Sequence, residues 1–120
     1  MIDVELFDAA FDGKSFAAGD VVFRAGDPAD SLFVVLSGEI AIRVDGVGDD
    51  VVGSGGVLGE LALIDGGRRT GTAVARVDSV VVPMGRLRLE YFVAKHPSFA
   101  LDLMTTIVGR VRRELDVLRN

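Results

Sequence analysis

The sequence predicts a mainly β protein with flanking helices, its central section an all-β barrel or sandwich. Three observations carry this. From about Phe16 to Met84, short apolar runs are separated by turns: Gly19-Asp20, Gly26-Asp27-Pro28, Ser37-Gly38, Asp45-Gly46 and Asp65-Gly66-Gly67. Such regular punctuation belongs to many short strands. Within it, Ile40, Ile42 and Val44 alternate with Ala41 and Arg43, as in a half-buried strand, whereas Leu32 to Leu36 is an unbroken apolar run suited to a strand covered on both faces. Pro83 closes this section, and beyond it apolar residues recur at helical spacing.

Taken in order, residues 3–10 read as a short helix with Val4, Leu6 and Phe7 as its apolar positions. The β section occupies residues 16–84, with Val74 to Val77 and Val80 to Val82 expected as a late hairpin and Pro83 as its close. Leu87 to Ala94 reads as a helix ended by Pro97, because the residue before a proline disfavours helical angles. Ser98 is placed to cap a long helix running to about Leu118, so the C-terminal helices fill residues 86–118.

The long helix carries two apolar rows. Leu101, Met104, Val108, Val111, Leu115 and Leu118 form a seam spaced 3, 4, 3, 4, 3, the pattern of a coiled-coil contact. Phe99, Leu103 and Ile107 form a second row on a neighbouring face. Either one row packs on the β section while the other meets a partner, or both serve the β section. A homodimer through the seam is the expectation, although Gly109 inside the helix costs about 1 kcal/mol relative to alanine.

Composition narrows the chemistry. A chain of 120 residues suits one domain with one core, so residues 1–120 are read as a single domain. The longest apolar runs are five residues, far below the roughly 20 that span a bilayer. The opening Met1-Ile2-Asp3-Val4-Glu5 is acidic where a secretory signal is basic; a soluble cytoplasmic protein with no membrane contact is expected. With no cysteine and only His96, disulfides, thiolate catalysis, iron–sulfur clusters and multi-histidine metal sites are excluded. A net charge of −5 makes the chain a poor general binder of nucleic acid, so any anion must find a local pocket, and no direct DNA contact is expected.

The segment with chemistry runs from Gly55 to Ala73: Gly55-Gly56-Val57-Leu58-Gly59, then Glu60-Leu61-Ala62-Leu63-Ile64, then Asp65-Gly66-Gly67-Arg68-Arg69-Thr70-Gly71-Thr72-Ala73. A glycine-rich loop leads into one helical turn, a tight turn follows, and the chain returns through Arg-Arg-Thr into a strand. Glycines let a backbone approach a ligand closely. Unpaired N–H groups at a helix start suit an anion. A returning arginine offers a planar fork to phosphate oxygens. A glutamate beside a phosphate would repel it, so Glu60 needs another partner, and a sugar hydroxyl suits it. Phosphate plus ribose without metal ligands describes a cyclic nucleotide better than a triphosphate.

Gly59-Glu60-Leu61-Ala62-Leu63 with Arg69-Thr70 five residues after Ile64 resembles the phosphate-binding cassette of cyclic-nucleotide-binding domains, as in cAMP-responsive bacterial regulators, the regulatory subunit of protein kinase A and nucleotide-gated channels. The stretch Phe23-Arg24-Ala25-Gly26-Asp27-Pro28-Ala29-Asp30-Ser31-Leu32-Phe33-Val34-Val35-Leu36-Ser37-Gly38 is similar to that family's early strands and glycine turns. The resemblance implies an eight-stranded, jelly-roll-like β-roll with a short N-terminal helix and two C-terminal helices, its cassette at residues 55–73. It implies that Glu60 accepts the ribose 2′-OH and that Arg69 pairs with the cyclic phosphate. Backbone N–H groups of Gly59, Leu61 and Ala62 would cradle phosphate oxygens, and the Thr70 hydroxyl would donate to phosphate or base. The ligand would be cAMP or cGMP, with no other cofactor. The short hairpin from Asp45 to Asp50 and the glycine-rich Gly53-Ser54-Gly55-Gly56 depart from the family pattern and bear on one wall of the base pocket.

Other residues have plainer readings. Arg68 reads as a surface residue, His96 as a solvated loop residue, and Gly19, Gly26 and Gly38 as turn glycines. Asp45, Asp49 and Asp50 lack the spacing of a calcium loop. Arg110, Arg112 and Arg113 form a basic cluster, a solvated helix face from which Arg112 and Arg113 are candidates for capping the nucleotide base. The expected function is a cyclic-nucleotide sensor that turns binding into movement of the C-terminal helix, with no catalysis. The alternative is a degenerate fold that binds only protein partners, against which the intact Glu60 and Arg69 argue. A cupin-like enzyme needs more histidines than the one present.

Overall fold

The computed structural model describes residues 1–44 and 48–119, with the backbone alone at positions 62, 65 and 119. Among the described residues, eight strands form two antiparallel four-stranded sheets. One has the order β1-β8-β3-β6, built from Lys14–Phe16, Ser79–Met84, Leu32–Ser37 and Val57–Leu58. The other has the order β2-β7-β4-β5, built from Val21–Phe23, Thr72–Ala75, Glu39–Val44 and Gly48–Gly53. Four helices accompany them: α1 (Ala9–Asp12), α2 (Glu60–Asp65), α3 (Arg86–Lys95) and α4 (Pro97–Arg119). This is the expected β-roll with an N-terminal helix and two C-terminal helices.

The pleat of β3 explains its unbroken apolar run. Phe33 and Val35 point between the sheets, into a core with Phe16, Phe23, Ile40, Leu58, Ala73 and Val81. Leu32 and Val34 point the other way, into a second core with Val82, Met84, Phe92, Phe99 and Leu103. Because side chains alternate faces along a strand, one run feeds two cores. The second core is where the helices attach. Phe99 is fully buried, Leu103 nearly so, and Ile107 packs against them. The Phe99 row therefore serves the roll, while Leu101, Met104, Val108, Val111, Leu115 and Leu118 are all exposed.

Several boundaries differ from expectation for identifiable reasons. The helix expected over residues 3–10 is two pieces, a 3₁₀ turn at Val4–Leu6 and α1. Asp3 accepts from Glu5 N and Asp8 from Ala10 N, each at 3.0 Å. Two N-caps so close together start two helices, and buried Phe7 lies extended between them. The expected hairpin of Val74–Val77 with Val80–Val82 does not form. β7 pairs with β2 and β4, and β8 pairs with β1 and β3, in the opposite sheet. Buried Ser79 pins this corner, donating to Val77 O at 2.8 Å and accepting from Glu39 N at 3.1 Å. Pro83 does not end the strand, since β8 continues to Met84. It lies beyond the reach of β1, which pairs only as far as Val81, so its missing N–H breaks no ladder there. The long helix begins at Pro97 rather than after a Ser98 cap; proline suits a first helical position because no N–H is needed there. His96 is half-buried against Phe92, with ring centroids 5.8 Å apart, rather than solvated. The expected Asp45-Gly46 turn lies outside the described residues; β4 and β5 pair up to Val44 and Gly48 on either side of it.

Candidate functional site

The cassette leaves β6 through Gly59, which has φ of +78° and opens α2. A Cβ at Gly59 would overlap Arg69 Nη1, so both the backbone angle and the space require glycine. Leu61 and Ala62 form the first turn of α2 behind Glu60, and Gly66, φ +71°, ends it. The chain then returns along the turn at residues 24–28. Arg69 N donates to Asp27 O at 2.9 Å and Gly26 N donates to Arg69 O at 2.9 Å. Exposed Arg68 adds Nη1 to Gly26 O at 2.9 Å. The Gly26 turn, read from sequence as punctuation, thus fixes where Arg69 starts.

Glu60 is 4% exposed and Arg69 6%, unusual for charged side chains unless they are partnered. Yet no ion pair joins them among the described residues. Arg69 Nη1 donates to Gly59 O at 3.1 Å, and its Nε is buried without a partner. Burial pulls the Arg69 guanidinium below its ordinary pKa, and the charges of Asp30 and Asp27 oppose that shift. Glu60 Oε1 pairs with Arg110 Nη2 from α4, while Glu60 Oε2 is buried without a partner. Two opposite charges therefore sit in one cassette, each held by the protein at one atom and unsatisfied at another. Buried unsatisfied polar atoms are rare and expensive; a ligand with one anionic group and one hydroxyl donor would satisfy both.

The other predicted residues fall differently. Thr70 and Leu61 are exposed beside the cassette. Arg112 and Arg113, the candidate base caps, are exposed on α4, and the arginine that reaches the cassette is Arg110. At about 100° per residue, Arg110 continues the Phe99, Leu103, Ile107 row and Arg112 points away from it, while Arg113 lies near the row but a turn further along the helix, where it is exposed. That row was legible, and extending it by three residues identifies Arg110. Among the described residues no cluster of three or more metal-ligating side chains is found, and no helix is long and apolar enough to cross a membrane.

Comparison with known proteins places the chain among relatives of known family. The lysophospholipase NTE1 of Mycosarcoma maydis is 34% identical over 112 residues, 90% of this chain and 6% of the relative. The CRP-like cAMP-activated global transcriptional regulator of Mycobacterium tuberculosis is 31% identical over 103 residues, 82% of this chain and 46% of the relative. The chain thus spans less than half the length of these relatives. The crystal structure of the Thermus thermophilus catabolite activator protein matches with a TM-score of 0.74 at 27% identity, over 97% of this chain and 56% of that one. A family model described as the cyclic nucleotide-binding domain matches residues 13–96, from the start of β1 to the end of α3. With that match laid over a roll that brings Glu60 and Arg69 into one buried cassette, the chain belongs to the cyclic nucleotide-binding domain family.

Proposed function

We propose that the chain is a sensor module for a cyclic mononucleotide, cAMP or cGMP, whose binding is relayed to α4. The observation that carries it is the pair of buried, opposite charges with one orphaned atom each: Glu60 Oε2 and Arg69 Nε. Arg69 takes the cyclic phosphate, with the backbone N–H groups of Gly59, Leu61 and Ala62 around it and the Thr70 hydroxyl at its edge. Glu60 Oε2 accepts the ribose 2′-OH while Oε1 stays with Arg110. Because Arg110 belongs to α4, any shift of Glu60 on binding is felt by that helix. This gives sensing a physical route to an output and involves no catalytic step. A module that binds only protein partners is not favoured, since it would leave both buried atoms without a purpose.

The exposed apolar row of α4 fits a second copy of the chain. Leu101, Met104, Val108, Val111, Leu115 and Leu118 are each between 46% and 82% exposed, a stripe at coiled-coil spacing rather than scattered single residues. A homodimer through it would place the relay at the interface. The net charge of −5 fits an output through protein contact rather than through DNA.

The test is calorimetry with cAMP, cGMP and their 2′-deoxy forms, on the wild type, Arg69→Ala and Glu60→Ala. Loss of Arg69 should remove most affinity, about 2–5 kcal/mol for a buried charge partner. The 2′-deoxy penalty should shrink in Glu60→Ala. A wild type that binds none of these ligands, or an Arg69→Ala variant that binds as well as wild type, refutes the reading.

A further inference from the structure

Arg69 is a buried cation whose described contacts include no carboxylate at ion-pairing distance. What lies against it is aromatic. The guanidinium carbon sits 4.3 Å from the centroid of the Phe23 ring and 5.4 Å from that of Phe33. The two rings are themselves stacked, 5.9 Å apart and 25° from parallel. Both are almost fully buried in the core between the sheets. The arrangement is local and specific. The register of β2 on β7 slips between Val21 and Phe23, leaving Phe23 opposite Ala73, whose small side chain is fully buried; such irregularities re-aim side chains. The Phe23 ring edge also lies 3.6 Å from where a Cβ on Gly59 would be. The guanidinium therefore rests in the gap between a glycine and an aromatic face.

We infer that Phe23, backed by Phe33, is a positioning residue for the phosphate-binding arginine: its ring face offsets the burial of the charge without occupying any N–H. The inference rests on the assignment of Arg69 to the phosphate. A carboxylate partner would also stabilise the cation, but it would compete with the incoming anion for the same donors. A ring face attracts the cation through its quadrupole and leaves the in-plane donors free. Nη1 is held by Gly59 O, and the edge carrying Nε has no described partner at that nitrogen, so it is left for a ligand. That edge is the one that grips two phosphate oxygens at once.

Fluorinated phenylalanines at position 23 test this with little change of volume. Site-specific incorporation of 4-fluoro-, 3,5-difluoro- and 3,4,5-trifluorophenylalanine drains the ring face stepwise. Calorimetry with cAMP and cGMP should show affinity falling with each fluorine, and Phe23→Leu should bind on the order of tenfold to thirtyfold more weakly. Melting temperature, followed in parallel, should fall only modestly with each fluorine, because the ring keeps its place in the core while the face that offsets the buried charge weakens. A second readout needs no nucleotide: in the ligand-free wild type, the Arg69 side-chain protons should carry an upfield ring-current shift that is lost in Phe23→Leu. Affinity flat across the fluorinated series, or Arg69 protons at their ordinary positions in the wild type, overturns the inference. A wild type that shows the ring-current shift but binds neither nucleotide overturns instead the assignment of the ligand.

Discussion

Arg110→Met removes the only described partner of a carboxylate that lies almost wholly inside the protein. In the Glu60–Arg110 pair the glutamate side chain is 5% exposed and the arginine 15%. Removing one member of a buried ion pair leaves the other charge uncompensated, a loss of about 3 kcal/mol at the low end of measured cases, suitable here because Arg110 retains some solvent. For a chain of 120 residues the unfolding entropy near the midpoint is about 0.25 kcal/mol/K, so the melting temperature should fall by about 12 °C. The assay is a double-mutant cycle by thermal or urea unfolding with Arg110→Met, Glu60→Gln and both together. Glu60→Gln alone should be milder, because Arg110 on the helix surface can turn towards water. The double variant should be no less stable than Arg110→Met, a coupling of about 2 kcal/mol between the sites. Strictly additive losses would show that the two side chains do not depend on one another, and the proposed relay from cassette to α4 would fall with them.

Other outcomes follow from single features. Gly59→Ala should lose about 1–2 kcal/mol from its left-handed backbone alone and should also weaken nucleotide binding, because the new methyl group displaces Arg69; full affinity in calorimetry would contradict the packing described. Val111→Glu with Leu115→Glu should convert a dimer to a monomer in light scattering without lowering the melting temperature much, since both positions are exposed; a wild type that is monomeric with and without nucleotide refutes the interface. Phe99→Ala should cost about 3–5 kcal/mol, as a fully buried ring under α4 becomes a cavity, and urea unfolding reads this directly. A loss below 1 kcal/mol would mean that α4 is not anchored there.

Much of this protein was legible before any tertiary contact was known, because the relevant rules are local. Turn glycines and aspartates mark where strands stop, and the two-residue period of β4 and the unbroken run of β3 report one or two covered faces. Gly59, Glu60, Arg69 and Thr70 stood out as candidates because they lie on a single loop–turn–strand segment that resembles the family's cassette. The two rows on the last helix were visible as well. Their division of labour was not, since only packing shows that Phe99 and Leu103 enter the core while Leu101 and Met104 stay in solvent.

The tertiary structure decided whatever depends on residues far apart in the chain. Sequence alone made Val74–Val77 and Val80–Val82 a hairpin, because adjacent strands usually pair; the corner at Ser79, bonded to Glu39 forty positions away, sends them to opposite sheets. It made Arg112 and Arg113 the candidate caps; the fold leaves both exposed and brings Arg110, fifty positions from Glu60, to the cassette's carboxylate. It gave Phe23 no role, because nothing in a strand pattern says which ring will lie under a guanidinium. Propensity, periodicity and turn chemistry act over a few residues and are written in the chain. Ion pairs, ring contacts and the choice between two apolar faces arise only when distant segments meet, and there the folded packing makes the choice.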